Sequence, residues 1–170
     1  GHQPLTLSQA MKHLPLLEQR KIEAGVLAPI IRAFEEELGK AKTHELVGKV
    51  IRGLAREAGE GIADELEGTP MEKIAALLPR FNEGDALEID VLKQDASRYE
   101  FNVTRCRFAE FYKELGIPEL GRLLSCNRDF ALSEGISSEL ELERSQTIME
   151  GAPHCDFRFR LKDPPSKDKD

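Results

Sequence analysis

Apolar residues recur at three- and four-residue steps in the first half of the chain and at two-residue steps in much of the second. From Leu5 to Leu78 the pattern is helical. Val26, Ile30, Ile31 and Phe34 predict one face of a long helix, with Pro29 marking a kink or a start because it lacks an N–H donor. Leu38-Gly39 predicts the stop. A second helix over Thr43 to Ala58 aligns Leu46, Val47, Val50, Ile51 and Leu54, and Gly59 and Gly61 are expected to break it. Thr69-Pro70, a capping hydroxyl followed by proline, opens a third helix whose stripe is Ile74, Leu77 and Leu78.

After Arg80 the period changes. Leu87, Ile89 and Val91 alternate with Glu88 and Asp90, and Tyr99, Phe101 and Val103 with Glu100, Asn102 and Thr104. Both read as half-buried strands joined through polar residues 93–97 in a hairpin. A helix follows with Phe108, Phe111, Tyr112 and Leu115 as its stripe and Gly116 at its end, then a short one from Pro118 with Leu120, Leu123 and Leu124. Leu140 and Leu142 mark a third strand; Phe157, Phe159 and Leu161 mark a fourth. The order ααα-ββ-αα-ββ predicts an α+β fold, a helical N-terminal half followed by an antiparallel sheet of about four strands with helices packed on one face.

Strand parity places the polar residues. If the last strand begins at Cys155, that thiol shares the inner face with Phe157, Phe159 and Leu161, and Asp156 points outward. In the third strand the inward parity of Leu140 and Leu142 carries on to Arg144, which must then find an anion; otherwise the strand ends or twists before it. Cys106 stands where the second strand yields to a helix, a position where unpaired N–H groups lower a thiol pKa. Cys126 and Asp129, three apart, are neighbours on a continuing helix. The alternative for each cysteine is a small buried hydrophobe.

Composition narrows the function classes. Among 170 residues, 24 Lys and Arg against 31 Asp and Glu give a net charge of −7. That balance argues against nucleic acid, which requires a basic face, and against anionic membranes. The length predicts a single domain over 3–163, with 1–2 a tag remnant and 164–170 a solvated, disordered tail. No apolar run approaches a spanning helix and no leader is evident, so three cysteines read as reduced thiols of a cytoplasmic protein. His13 and His44 read as surface residues. No CxxC, HExxH, GxGxxG or P-loop is present, so no cofactor is required by the sequence. Three thiols with His154 could still converge on a metal, though their spacing matches no zinc pattern. An oligomer is compatible with everything read so far.

The stretch "FNVTRCRFAEFYKELGIPELGRLLSCNRDFAL" followed by "LERSQTIMEGAPHCDFRFR" resembles the L-2-amino-thiazoline-4-carboxylic acid hydrolase family. The resemblance covers about Leu87 to Leu161. It rests on a cysteine after a strand (Cys106), on C-x-x-D (Cys126, Asp129), and on a strand leading through Thr147 and Gly151 into Cys155, Asp156, Phe157 and Arg158. The final segment is also similar to the end of vinyl-reductase-type ligand-binding domains. The resemblance implies hydrolytic opening of a small 2-aminothiazoline carboxylate to a carbamoyl-cysteine, by thiol or by metal-activated water. Cys126 or Cys106 would be the nucleophile, or Cys106, Cys126 and Cys155 would hold the metal. Asp129 would act as acid–base or orient the nucleophile, and Arg144, with Asp156, would bind substrate. The alternative implied is a non-catalytic small-molecule-binding or sensory module.

Overall fold

The computed structural model describes residues 1–5, 7–10 and 14–162, so His13 and the 164–170 tail lie outside the described residues. Four helices come first: α1 (Leu7–Ala10), α2 (Leu16–Leu38), α3 (Lys40–Glu65) and α4 (Pro70–Phe81). The hairpin β1 (Leu87–Gln94) and β2 (Arg98–Cys106) follows, then α5 (Arg107–Glu114), α6 (Pro118–Gly121) and α7 (Arg128–Ile136). Strands β3 (Leu140–Glu143) and β4 (Cys155–Leu161) complete the chain. The sheet is antiparallel throughout, in the order β1-β2-β4-β3. This is the α+β arrangement that the hydrophobic periods predict.

Local chemistry explains the boundaries. Thr69 caps α4 by accepting from the Glu72 N–H at 3.2 Å, with Pro70 at the first helical position. Asp95 closes the hairpin, its carboxylate accepting from the N–H groups of Ser97 and Arg98 at 2.9 and 2.8 Å. Gly39, at φ 83°, ends α2 and lets α3 begin at once at Lys40, ahead of the Thr43 start that the apolar pattern suggests.

Two expectations about the long helices are corrected. α2 runs unbroken through Pro29, and of its expected inward stripe only Ile31 is buried, while Val26, Ile30 and Phe34 are exposed. The face that packs inward carries Leu17, Ala24 and Ile31. Likewise α3 does not end at Gly59 and Gly61, and its Leu46, Val50 and Leu54 are exposed while Thr43, Gly48, Ile51, Ala55 and Gly59 are buried. The glycines have a packing cause. A Cβ on Gly59 would lie 2.3 Å from the Leu132 carbonyl oxygen, and one on Gly135 would lie 2.2 Å from the Arg56 oxygen. Helices α3 and α7 therefore cross backbone to backbone, with helix propensity yielding to close approach.

One face of the sheet is apolar. Tyr99, Phe101 and Val103 of β2, Leu140 and Leu142 of β3, and Cys155 and Phe159 of β4 pack against Met71, Ile74 and Leu77 of α4 and Ile136 of α7. Phe101 and Phe157, directly paired across β2 and β4, stack at 5.1 Å with 10° between their planes. A second cluster joins Ala24, Ile31 and Ile51 to Ala109, Tyr112, Leu120 and Leu124. Cys106 borders both clusters. Among the described residues, no helix is long and apolar enough to cross a membrane.

Candidate functional site

Three backbone devices converge at one end of the sheet. The β2–β4 register pairs Val103 with Cys155, which sets Cys155 close to the end of β2, where Cys106 caps α5. Between α6 and α7 the chain makes a π turn over Arg122–Cys126, closed by the Asn127 N–H donating to the Arg122 oxygen at 2.9 Å. That wide turn sets Cys126 just before the first turn of α7, which holds Asp129. The third device is the loop after β3, which carries Arg144.

The strand does end at Glu143, yet the parity of Leu140 and Leu142 persists for one more residue. The Arg144 side chain is only 8% exposed. Its anion is Asp129: Nη1 donates to the Asp129 carboxylate and to the Cys126 carbonyl at 3.3 Å. The guanidinium lies over the rings of Phe130 and Phe157, 4.9 and 5.5 Å from their centroids. The other two guanidinium nitrogens, Nη2 and Nε, make no hydrogen bond among the described residues. Arg144 lines a cleft of about 830 Å³, together with His44, Arg52, Arg122, Asn127, Phe130 and Met149 among others.

Behind this pair lies a second, apolar cavity of about 80 Å³ between α4, α7 and the sheet, lined by Leu77, Phe101, Phe157, Phe159, Asp129 and Ser133 among others. The ion pair thus stands between two spaces, Arg144 lining the larger polar cleft and Asp129 the smaller apolar one. The Ser133 hydroxyl, one helical turn after Asp129, is buried without a hydrogen-bond partner among the described residues.

Asp156 has a different place. Its carboxylate accepts from the N–H groups of Ser145 and Gln146, both at 2.9 Å, and from the Ser145 hydroxyl. It pins the two residues that follow Arg144. Thr147 and Gly151 shape the rest of the loop. The Thr147 hydroxyl accepts from the Glu150 N–H at 3.2 Å, and Gly151 adopts the left-handed φ of 103° that turns the chain toward Cys155. The Cys155 sulfur accepts from the Ile148 N–H at 3.2 Å. Gln146 donates to the His154 carbonyl at 2.9 Å. These loop partners, and Phe130 beneath Arg144, escape a single-sequence reading, because their signal is the spatial position of a residue fifteen or fewer places away.

Burial dominates the electrostatics. It pushes the Cys106 thiol up to about 11, outweighing the N–H groups of Ala109 and Phe108 at the start of α5. The lowered thiol expected from the helix N-terminus is thereby reversed. Cys126 is pushed up further by burial and by Asp129, and Cys155 is raised by burial against the Ile148 N–H. Cys106 packs against the cluster that contains Cys155 and, on its other side, against the one that Cys126 borders. Burial also raises the Asp129 carboxyl, a larger effect than the downward pull of Arg144. Among the described residues, no three His, Cys, Asp or Glu side chains group closely enough to hold a metal ion, so the convergence of three thiols with His154 is not found.

No curated protein matches the chain by sequence. The phenol-responsive sensory domain of the transcription activator PoxR is similar in fold, with a TM-score of 0.52 at 11% identity over 79% of this chain and 72% of that one. Trafficking protein particle complex subunit 3 from Naegleria fowleri, covalently bound to palmitic acid, gives 0.49 at 14% identity over 86% and 99%. The match to a sequence family is more specific and spans residues 19–159, most of the helical half included: the chain belongs to the L-2-amino-thiazoline-4-carboxylic acid hydrolase family.

Proposed function

We propose that the chain opens the ring of a small 2-aminothiazoline carboxylate by hydrolysis in the Arg144 cleft. The observation that carries this reading is the Arg144–Asp129 pair beside Cys126. A buried guanidinium is fixed through one nitrogen, while two others are left for a substrate carboxylate. In the reaction, an oxygen from water bonds to the amidine-like carbon between sulfur and nitrogen. The carbon–sulfur bond breaks, sulfur keeps the electron pair and takes a proton, and the product is a carbamoyl-cysteine with a free thiol. Asp129, its carboxyl raised by burial, stands where it can hold or hand on the proton that the departing sulfur takes. Cys126 neighbours it and is the favoured nucleophile if the reaction passes through a covalent intermediate; Cys106 is the next candidate, with Cys155 supporting. Asp156 serves as a positioning residue for Arg144. The test is turnover of L-2-amino-thiazoline-4-carboxylate, followed by loss of ring absorbance and appearance of thiol, with and without chelator. Turnover indifferent to chelator supports the thiol or Asp129 route. No thiol release under either condition overturns the hydrolase reading.

A second reading, a binding module without turnover, draws on the three thiols being raised rather than activated and on the apolar space behind Asp129. The similar fold of a phenol-responsive domain is in keeping with it. Saturable stabilisation by the thiazoline carboxylate without thiol release would favour this reading.

A further inference from the structure

The outward side of α2 is the most anomalous surface of the molecule. Between Ile22 and Phe34 its exposed positions are Ile22, Gly25, Val26, Pro29, Ile30, Ala33 and Phe34, without one polar side chain. The charged residues of that stretch turn elsewhere: Glu23 pairs with Arg20 and Arg128, and Arg32 with Glu35 and Glu119. Ile22, Val26, Ile30, Phe34 and Leu38 stand at strict four-residue steps, 45 to 60% exposed. Helix α3, tied to α2 by His44 and Glu35 at 3.0 Å, adds Leu46, Val50 and Leu54 at the same spacing. A soluble helix normally gives water its polar side, and a contiguous apolar patch marks an interface.

We propose that this face is the interface between two copies of the chain, packed α2 against α2. Side chains at four-residue steps form one ridge of a helix surface, and the small residues Gly25 and Ala33 lie beside it as a groove. Two copies of one such ridge interdigitate in the commonest class of helix packing, at about −50°. The area agrees. The five large apolar side chains of α2, each about half exposed, with the exposed Gly25, Pro29 and Ala33 between them, offer roughly 500 Å² per copy, so a pair buries about 1,000 Å², the lower bound of a specific interface. An anionic bilayer is disfavoured by the net charge of −7 and by Glu18, Glu36 and Glu37 along the same helix.

Light scattering on the full chain during gel filtration, with sedimentation equilibrium across concentrations, tests this. The wild type is expected at about 38 kDa, twice the 19.1 kDa of one chain. Val26→Glu/Ile30→Glu should run at one chain mass with unchanged helical circular dichroism. Ala33→Arg, a good helix former at an exposed position, should weaken dimerisation at least a hundredfold, and it guards against a double variant that fails to fold. Wild type that remains monomeric at 100 µM overturns the proposal, whatever foreign helix or lipid then covers the stripe. So does a dimer whose dissociation constant is the same in Ala33→Arg.

Discussion

Arg144 and Asp129 hold each other across the join between a strand end and a helix start, fifteen residues apart in sequence and hydrogen-bonded in space. Removing Asp129 leaves Arg144 buried and without its anion, and removing Arg144 leaves Asp129 partly buried without its cation. Asp129→Asn is expected to cost about 2–3 kcal/mol of stability, less than a fully buried pair because the Asp129 side chain keeps 23% exposure. Arg144→Met should cost a similar amount. The double variant should cost less than the sum, a coupling that a denaturant double-mutant cycle reads directly.

For turnover, Arg144→Lys is the informative change. A lysine keeps the charge but loses the planar fork, so a purely carboxylate-gripping Arg144 predicts a KM raised more than kcat is lowered. Equal losses in both would place Arg144 in the transition state instead.

The thiols give a prediction about pH. With Cys106 pushed up to about 11 and Cys126 and Cys155 also raised, alkylation of the folded chain should be far slower at pH 8 than that of a free thiol with a pKa of about 8.5. The rate should climb as pH approaches 11. Rapid labelling of one cysteine at pH 6, mapped by mass spectrometry, would identify a thiolate that burial does not permit.

Asp156 predicts an acid limb. Burial pushes its carboxyl up, but the Ser145 and Gln146 hydrogen bonds reverse this and leave it below its ordinary value. A carboxyl depressed in the folded state adds stability above its unfolded pKa, and loses that stability as pH falls through the folded value. Asp156→Asn should therefore cost about 1–2 kcal/mol at pH 7. The gap to wild type should narrow in melts below about pH 3.9, the unfolded aspartate value. A gap that does not depend on pH would remove the carboxylate from that role.

Two glycine substitutions should move stability in opposite directions. Gly59→Ala drives a methyl into the Leu132 carbonyl and should cost about 2–3 kcal/mol despite alanine's better helix propensity. Gly53→Ala, on the same helix with nothing within 4 Å, should stabilise by up to about 1 kcal/mol. Thermal melts of the two against wild type give both signs.

The sheet was legible because its strands have one wet face: the alternation of Phe101 with Asn102 and of Leu142 with Glu143 can be satisfied in only one way. The parity that carried Arg144 inward needed only that one further step. The long helices misled because an apolar stripe says that a face avoids water, without saying what it meets. On α2 and α3 most of the large apolar residues lie outward, and on the inward face Leu17, Ile31 and Ile51 are joined by the small Ala24, Gly48, Ala55 and Gly59. Small residues carry a weak periodic signal. The helix-start argument for Cys106 failed in sign because a sequence displays a capping position but not the depth at which it is buried.

The backbone crossing of α3 and α7 at Gly59 and Gly135 joins residues more than seventy positions apart. The chain reads as a helical half and a sheet half, yet α7, which bears Asp129, is seated on the helical half. Neither half can therefore assemble the constellation alone. Cleavage between α3 and α4, near Gly68, should yield two fragments that refold only on mixing, and the Asp129 pocket should appear at a rate second order in fragment concentration.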